Sequence, residues 1–198
     1  MDKMQDIADA AINETPPTCR VTPAQAELIA RNADALLPLG PEIVQGFYDT
    51  LFAHPPTAAV FSDGERPMRE ETLALWWSRT VKGPLDDDYW SWMALVGLTH
   101  VIRRVSNPMM LAMAEFVAEF VANNASRLEI PEAERSEVVD GFRRVASMTS
   151  WIITYAYDHA VSSALFDVAG MPEALLARLR DQEVSASLQQ AHAERAER

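Results

Sequence analysis

Proline placement restricts this chain more than any other feature. The twelve prolines fall mainly at the junctions between stretches of helical periodicity. Inside a helix a proline removes a hydrogen bond and crowds the preceding turn, whereas in the first turn its fixed φ and missing N–H cost nothing. With only seven glycines besides, the chain is expected to be all-α. Thr22-Pro23 opens a helix carrying Ala26, Ile29, Ala33 and Leu36, which should break between Pro38 and Gly40. Pro41 opens a second, with the stripe Ile43, Val44, Phe47, Leu51 and Phe52 and with Tyr48 at its edge, ending at Pro55-Pro56. Pro67 to Thr80 make a third, with Leu73, Trp76, Trp77 and Thr80 on one side and Gly83-Pro84 closing it. Asp86 to Asp88 cap a fourth, about residues 87–105, apolar nearly all round and expected to be buried on several sides. Asn107-Pro108 and Pro131 start two more, the second running to about Phe166 before Gly170 stops it. Residues 1–20 hold a weak helix and read as an N-terminal extension, and residues 171–198 as a polar C-terminal helix or tail.

Composition enters by exclusion. Twenty-nine acids against seventeen bases give a net charge of −12, which repels a phosphate backbone, so no nucleic acid is expected as a partner. No apolar stretch approaches the roughly 20 residues of a bilayer span and the N-terminus lacks a signal layout, so no membrane partner is expected and the location should be cytoplasmic. Cys19 is the one cysteine, which excludes an internal disulfide and a thiolate zinc cluster. No glycine-rich phosphate loop, His-x-x-x-His pair or nucleophile elbow occurs.

Of the four histidines, His54 precedes two prolines, His159 follows Asp158 near a helix end and His192 lies in the polar tail, and all three read as surface or cap groups. His100 differs. It shares a face with Tyr89, Met93 and Val96 inside the most apolar helix. A buried imidazole needs a partner, and periodicity leaves two readings open: a core histidine bonded to a backbone carbonyl, or a ligand.

The local text Gly97-Leu98-Thr99-His100-Val101-Ile102, followed by Val105, Pro108 and Met109-Met110, adds to this. With Phe47-Tyr48-Asp49-Thr50-Leu51, Thr72 and Trp76 upstream, residues 22–167 resemble the sensor-globin family, comprising protoglobins and the haem domains of globin-coupled sensors. Tyr48 and His100 stand 52 residues apart, similar to the spacing of that family's distal tyrosine and proximal histidine. The resemblance implies a globin-like helical fold with long final helices, a haem domain over 21–170, and haem b (iron protoporphyrin IX) as cofactor. It makes His100 the iron ligand, its other ring nitrogen donating to a carbonyl near Val96. It places Tyr48 as hydrogen-bond donor to a bound diatomic gas (O2, CO or NO), a bond worth roughly 1.5–3 kcal/mol, or about ten- to a hundredfold in affinity. Thr72 is the expected second polar group, Leu73, Leu75 and Trp76 the apolar wall, and Phe61 a packing aromatic. Met93, Val96, Val105, Met109 and Met113 complete the expected contacts, with Arg103 paired to a haem propionate. Where the family usually has an isoleucine-glycine pair, this chain has Arg103-Arg104.

The implied function is gas binding for sensing or redox signalling rather than catalysis. Too few residues follow 167 for an output module, so a separate signalling partner is expected, as is a homodimer through the last two long helices, whose outer apolar residues would include Val139, Met148, Trp151 and Leu165. A haem enzyme (peroxidase or NO dioxygenase) and a haem-free globin-like regulator are the alternatives.

Overall fold

The computed structural model describes residues 3–196, is 84% helical and has no strand among the described residues, so the all-α expectation holds. In chain order the helices are α1 (Met4–Asn13), α2 (Pro23–Arg31), α3 (Ala33–Leu36), α4 (Gly40–Ala53), α5 (Pro55–Ala58), α6 (Arg66–Lys82), α7 (Asp87–Arg103), α8 (Asn107–Asn124), α9 (Glu132–Asp167) and α10 (Glu173–Ala196). Proline lies in the first turn of α2, α4, α5, α6 and α8. Thr22 and Gln25 form a reciprocal capping box on α2, and the Asp86 carboxylate accepts from the Tyr89 N–H at 3.1 Å to start α7.

Three local expectations are corrected. The helix begun at Pro23 stops at Arg31, where the Asn32 side chain donates to the Leu28 carbonyl, and the chain reaches α4 through α3 and a 3₁₀ turn at Leu37–Leu39. Gly40, read as a break, is instead the first residue of α4; a Cβ there would lie 3.0 Å from the Trp77 ring, so its small size serves packing. α7 is not buried all round, since Leu95 is 50% and Ile102 84% exposed. The segment read as an extension packs tightly: Ile7, Ala8 and Ala11 of α1 are buried beside Tyr89, Trp90, Met93 and Ala94 of α7, and Ser91 Oγ donates to Gln5 Oε1 at 2.5 Å.

The chain forms two compact units, one up to Tyr157 and one from Asp158 onward. The second contains the end of α9, a left-handed turn at Gly170 (φ 64°) and α10, none of whose residues is buried. In the first unit the core is divided into two apolar clusters. One gathers Ile29, Leu36, Ile43, Val81, Val138 and Phe142, with Trp77 stacked on Phe142 at 5.4 Å. The other gathers Ile7, Tyr89, Trp90, Met93, Met148, Ile152 and Ala156. Met148, expected on the outside of the long helix, is thus buried and accepts the Val21 N–H at 3.1 Å, because the 20–22 segment crosses that face. Trp76 packs against both clusters, and what separates them elsewhere is a cavity.

The helix carrying His100 is held against α9 by backbone proximity. A Cβ on Gly97 would lie 2.6 Å from the Ile153 carbonyl oxygen and 2.7 Å from Ala156 Cβ, closer than atoms can approach. Gly97→Ala should therefore cost about 1–3 kcal/mol, read as a lowered urea midpoint, since neither backbone can give way without moving a helix. A midpoint equal to that of the native chain would show that the two helices do not cross this closely.

Candidate functional site

A cavity of about 450 Å3 opens among α4, α6, α7, α8 and α9, inside the roughly 300–1,000 Å3 range of cofactor and small-molecule pockets. Protein interiors normally pack to the density of organic crystals, and this mostly apolar space departs from that. Tyr48, Phe61, Thr72, Leu73, Trp76, Met93, Val96, His100, Arg103, Val105, Met109 and Met113 all line it, and the site residues read from the sequence are therefore brought together. Leu75 is not: it is 63% exposed and faces away, one residue out of register with Leu73 and Trp76.

The helical periods explain this convergence. Met93, Val96 and His100 recur at three and four residues along α7, and Thr72, Leu73 and Trp76 do so on α6. Of the adjacent tryptophans, Trp76 faces the cavity while Trp77, 2% exposed, faces the opposite core.

His100 is the group that most needs explaining. Burial alone pushes its imidazole down to about 4, so the ring is neutral at physiological pH. Its Nδ1 is buried and has no hydrogen-bond partner. The expected donation to a carbonyl near Val96 is absent, and so is the carbonyl bond of an ordinary core histidine. The His100 carbonyl meanwhile accepts the Val105 N–H at 3.0 Å, and α7 ends at Arg104, whose φ of 58° is left-handed. Glycine suits that conformation, and arginine holds it at a cost of roughly 1–2 kcal/mol.

Tyr48 stands on α4, its ring edge-on to Phe47 and Phe61 at 5.3 and 6.0 Å. Burial pushes its hydroxyl up to about 12, so it stays protonated and can donate. Sequence reasoning aims that single proton at a ligand, but here it goes to the Arg69 carbonyl oxygen at 2.8 Å. Thr72 also differs: its hydroxyl donates to the Met68 carbonyl one turn back, as threonines on exposed helix faces do. Arg103 lies 2.5 Å from the carboxylate of Glu65, which also binds Arg69.

Arg69, Thr149 and Ile153 are among the contributors that were not named as site residues beforehand. Arg69 lines the cavity, although its Glu65-x-x-x-Arg69 spacing reads as an ordinary surface pair. Thr149 and Ile153 reach the cavity from α9, and a buried threonine within an apolar stripe was the only signal for them. Among the lining residues the titratable side chains are Tyr48, Arg69, His100 and Arg103, with no carboxylate or second histidine. Glu70, on the same helix, is instead ion-paired with Arg66 at 2.6 Å. This wall can offer an apolar surface, one neutral imidazole and fixed positive charge.

The all-α architecture is that of a globin-like fold, and its helices wrap a cavity with one half-buried histidine on its wall. The protoglobin family model matches residues 9–162, most of the chain, and the chain belongs to that family. No curated protein matches it. Among the described residues, no helix is long and apolar enough to cross a membrane.

The low value at His100 sets a pH dependence. Below its ordinary value of 6.5 the unfolded chain takes up a proton that the folded, cofactor-free chain refuses. Stability should be full above pH 6.5 and fall as pH drops towards 4, by about 3 kcal/mol in all. Urea unfolding across that window should show a steeper slope in the native chain than in His100→Leu, whose remaining slope near pH 4 comes from carboxylates held down by their partners, such as Glu65; an equal slope in both would mean that the ring is not buried and neutral.

Proposed function

We propose that this protein binds haem b in the cavity, where His100 would hold the iron, and takes up O2, CO or NO reversibly for gas or redox sensing. The observation that carries this reading is the neutral, buried His100 imidazole, unpartnered at Nδ1, on the wall of a cofactor-sized apolar cavity. The residues present fit the group. A tetrapyrrole needs apolar faces, which Leu73, Trp76, Val96, Met109 and Met113 provide; a neutral nitrogen donor, which is His100; and cations for its carboxylates, which Arg69 and Arg103 can be. Phe61, Met93 and Val105 would add contacts. When bound, haem would supply an iron able to take up a diatomic gas.

The chain's own part is to hold the imidazole, keep water off and place one donor. Because the imidazole loses its proton already near pH 4, no competing proton blocks ligation at neutral pH. Tyr48 can serve a gas ligand only by giving up the Arg69 carbonyl. The gain is the difference of two hydrogen bonds, about 1 kcal/mol rather than a whole charge-assisted bond. Discrimination should accordingly be weaker than the sequence alone implies.

The same wall argues against the enzymatic alternative. General acid–base work on peroxide wants a distal group that titrates near neutral pH, and Tyr48, pushed up to about 12, does not. We further propose a cytoplasmic protein that forms a homodimer through its last two long helices and passes its signal to a separate partner. The apolar residues Leu111 on α8 and Val161 and Phe166 on α9, all exposed, support a covering copy. Sedimentation showing only a monomer would remove that part.

Purified protein loaded with haem should show a Soret band, which His100→Ala shifts or loses; no band in the native chain would favour a haem-free regulator. Tyr48→Phe should speed O2 dissociation only about fivefold. An unchanged rate would show that another group guards the ligand, and a hundredfold rise that the carbonyl does not compete.

A further inference from the structure

Three sides of α7 meet three different surroundings. Tyr89, Trp90, Met93 and Ala94 are buried with Ile7, Ala8 and Ala11 of α1, Gly97 lies against the backbone of α9, and Met93, Val96 and His100 form cavity wall. Met93 belongs to two of these, on the same helix face as His100 and two turns before it. This order gives α7 the form of a lever. Gly97, where no Cβ fits, is the fixed point, with the residues under α1 on one arm and His100 on the other. At about 1.5 Å per residue, Trp90 lies roughly 10 Å from that point and His100 roughly 4.5 Å. A shift of about 2 Å at Trp90 therefore moves the imidazole by about 1 Å, well beyond the roughly 0.2 Å that metal–ligand distances tolerate.

α1 is built to be either docked or lost. It has 10 residues, fewer than an isolated helix needs in water, and its N-cap, Lys3, gives it no side-chain bond. Its buried face includes Ala8 and Ala11, small enough to lie close to α7, and Ser91 Oγ of α7 donates to Gln5 Oε1 near its start. After Pro16-Pro17 the chain is tied down separately. Arg144 of α9 donates to the Thr18 and Arg20 carbonyls, and Met148 Sδ accepts the Val21 N–H. These bonds involve no residue of α1, so α1 can lift from α7 without the rest of the segment following.

We infer that α1 is a clasp that positions His100: docked on α7 it holds the imidazole at the cavity wall, and its release lets α7 tilt about Gly97 and draws the ring away. Ile7, Ala8 and Ala11 are positioning residues, since none of them lines the cavity. The inference rests on the haem reading and adds to it an element outside the cavity that sets how firmly a metal is held. Coupling of this kind is reciprocal. A ligand held through His100 therefore also holds α1 in place, and the outer surface of the protein registers what the cavity contains.

Haem and metal-free protoporphyrin IX, titrated separately into the cofactor-free full chain, divide the imidazole's share of binding from the cavity's. Ala8→Arg, which puts a bulky charge where α1 has no room for one, should lower haem affinity about tenfold and change protoporphyrin IX affinity by less than about twofold. Ala8→Ser should bind both as the native chain does. His100→Ala sets the limit of the effect. Amide exchange in α1 should slow when haem binds the native chain, and should not slow with protoporphyrin IX or when haem is added to His100→Ala. If Ala8→Arg does not fold, the exchange measurement alone decides. Equal weakening of both ligands by Ala8→Arg would show that α1 only keeps the cavity in shape, and overturns the clasp; so does haem affinity left at its native level, or α1 exchange that haem does not slow. A native chain that binds haem no more tightly than protoporphyrin IX overturns the haem reading, and the clasp with it.

Discussion

The structure turns on an imidazole that the fold buries without giving it a hydrogen bond. Burying a polar atom unpaired costs about 1–3 kcal/mol, and leaving a large apolar space beside it forfeits the contacts its lining would otherwise make. A chain does not accept both costs next to each other for stability. The two apolar clusters of the core supply what is needed to hold the space open: Trp77 on Phe142 on one side, and α1 with Tyr89 and Ile152 on the other. His100 sits where they part, and its helix is fixed against α9 by Gly97, where no side chain would fit.

The electrostatics follow from that division. Burial drives His100 to its neutral form and Tyr48 to its protonated form, which leaves a neutral imidazole, and a hydroxyl bonded to the Arg69 carbonyl, beside a mostly apolar space. Fixed charge is confined to the two arginines tied to Glu65, at the junction of the start of α6 with the end of α7. Arg69 belongs to both systems, since its side chain binds Glu65 and its carbonyl takes the Tyr48 proton. Tyr48 and the two arginines are therefore coupled through Arg69, and His100 stands apart from them.

Much of the site was legible because helical periodicity converts spacing into direction. Met93, Val96 and His100 had to share a face, as did Leu73 and Trp76, whatever the surroundings. The family resemblance linked those faces across α4, α6 and α7, and the residues on them line one cavity. Leu75 shows the limit of the method, because one residue on a helix is a rotation of about 100° and carries a side chain out of the wall into solvent.

The sequence by itself determined the helices and their ends, through prolines, caps and stripes, because these depend on neighbours within a few residues. It determined the total charge and the single cysteine too. Only the tertiary structure decided what each polar group is bonded to. The Tyr48 hydroxyl reaches a carbonyl 21 residues away, Arg103 a carboxylate 38 residues away, and the His100 Nδ1 nothing. Hydrogen bonds form between atoms within about 3 Å whatever their separation along the chain, so their partners exist only once the helices have packed.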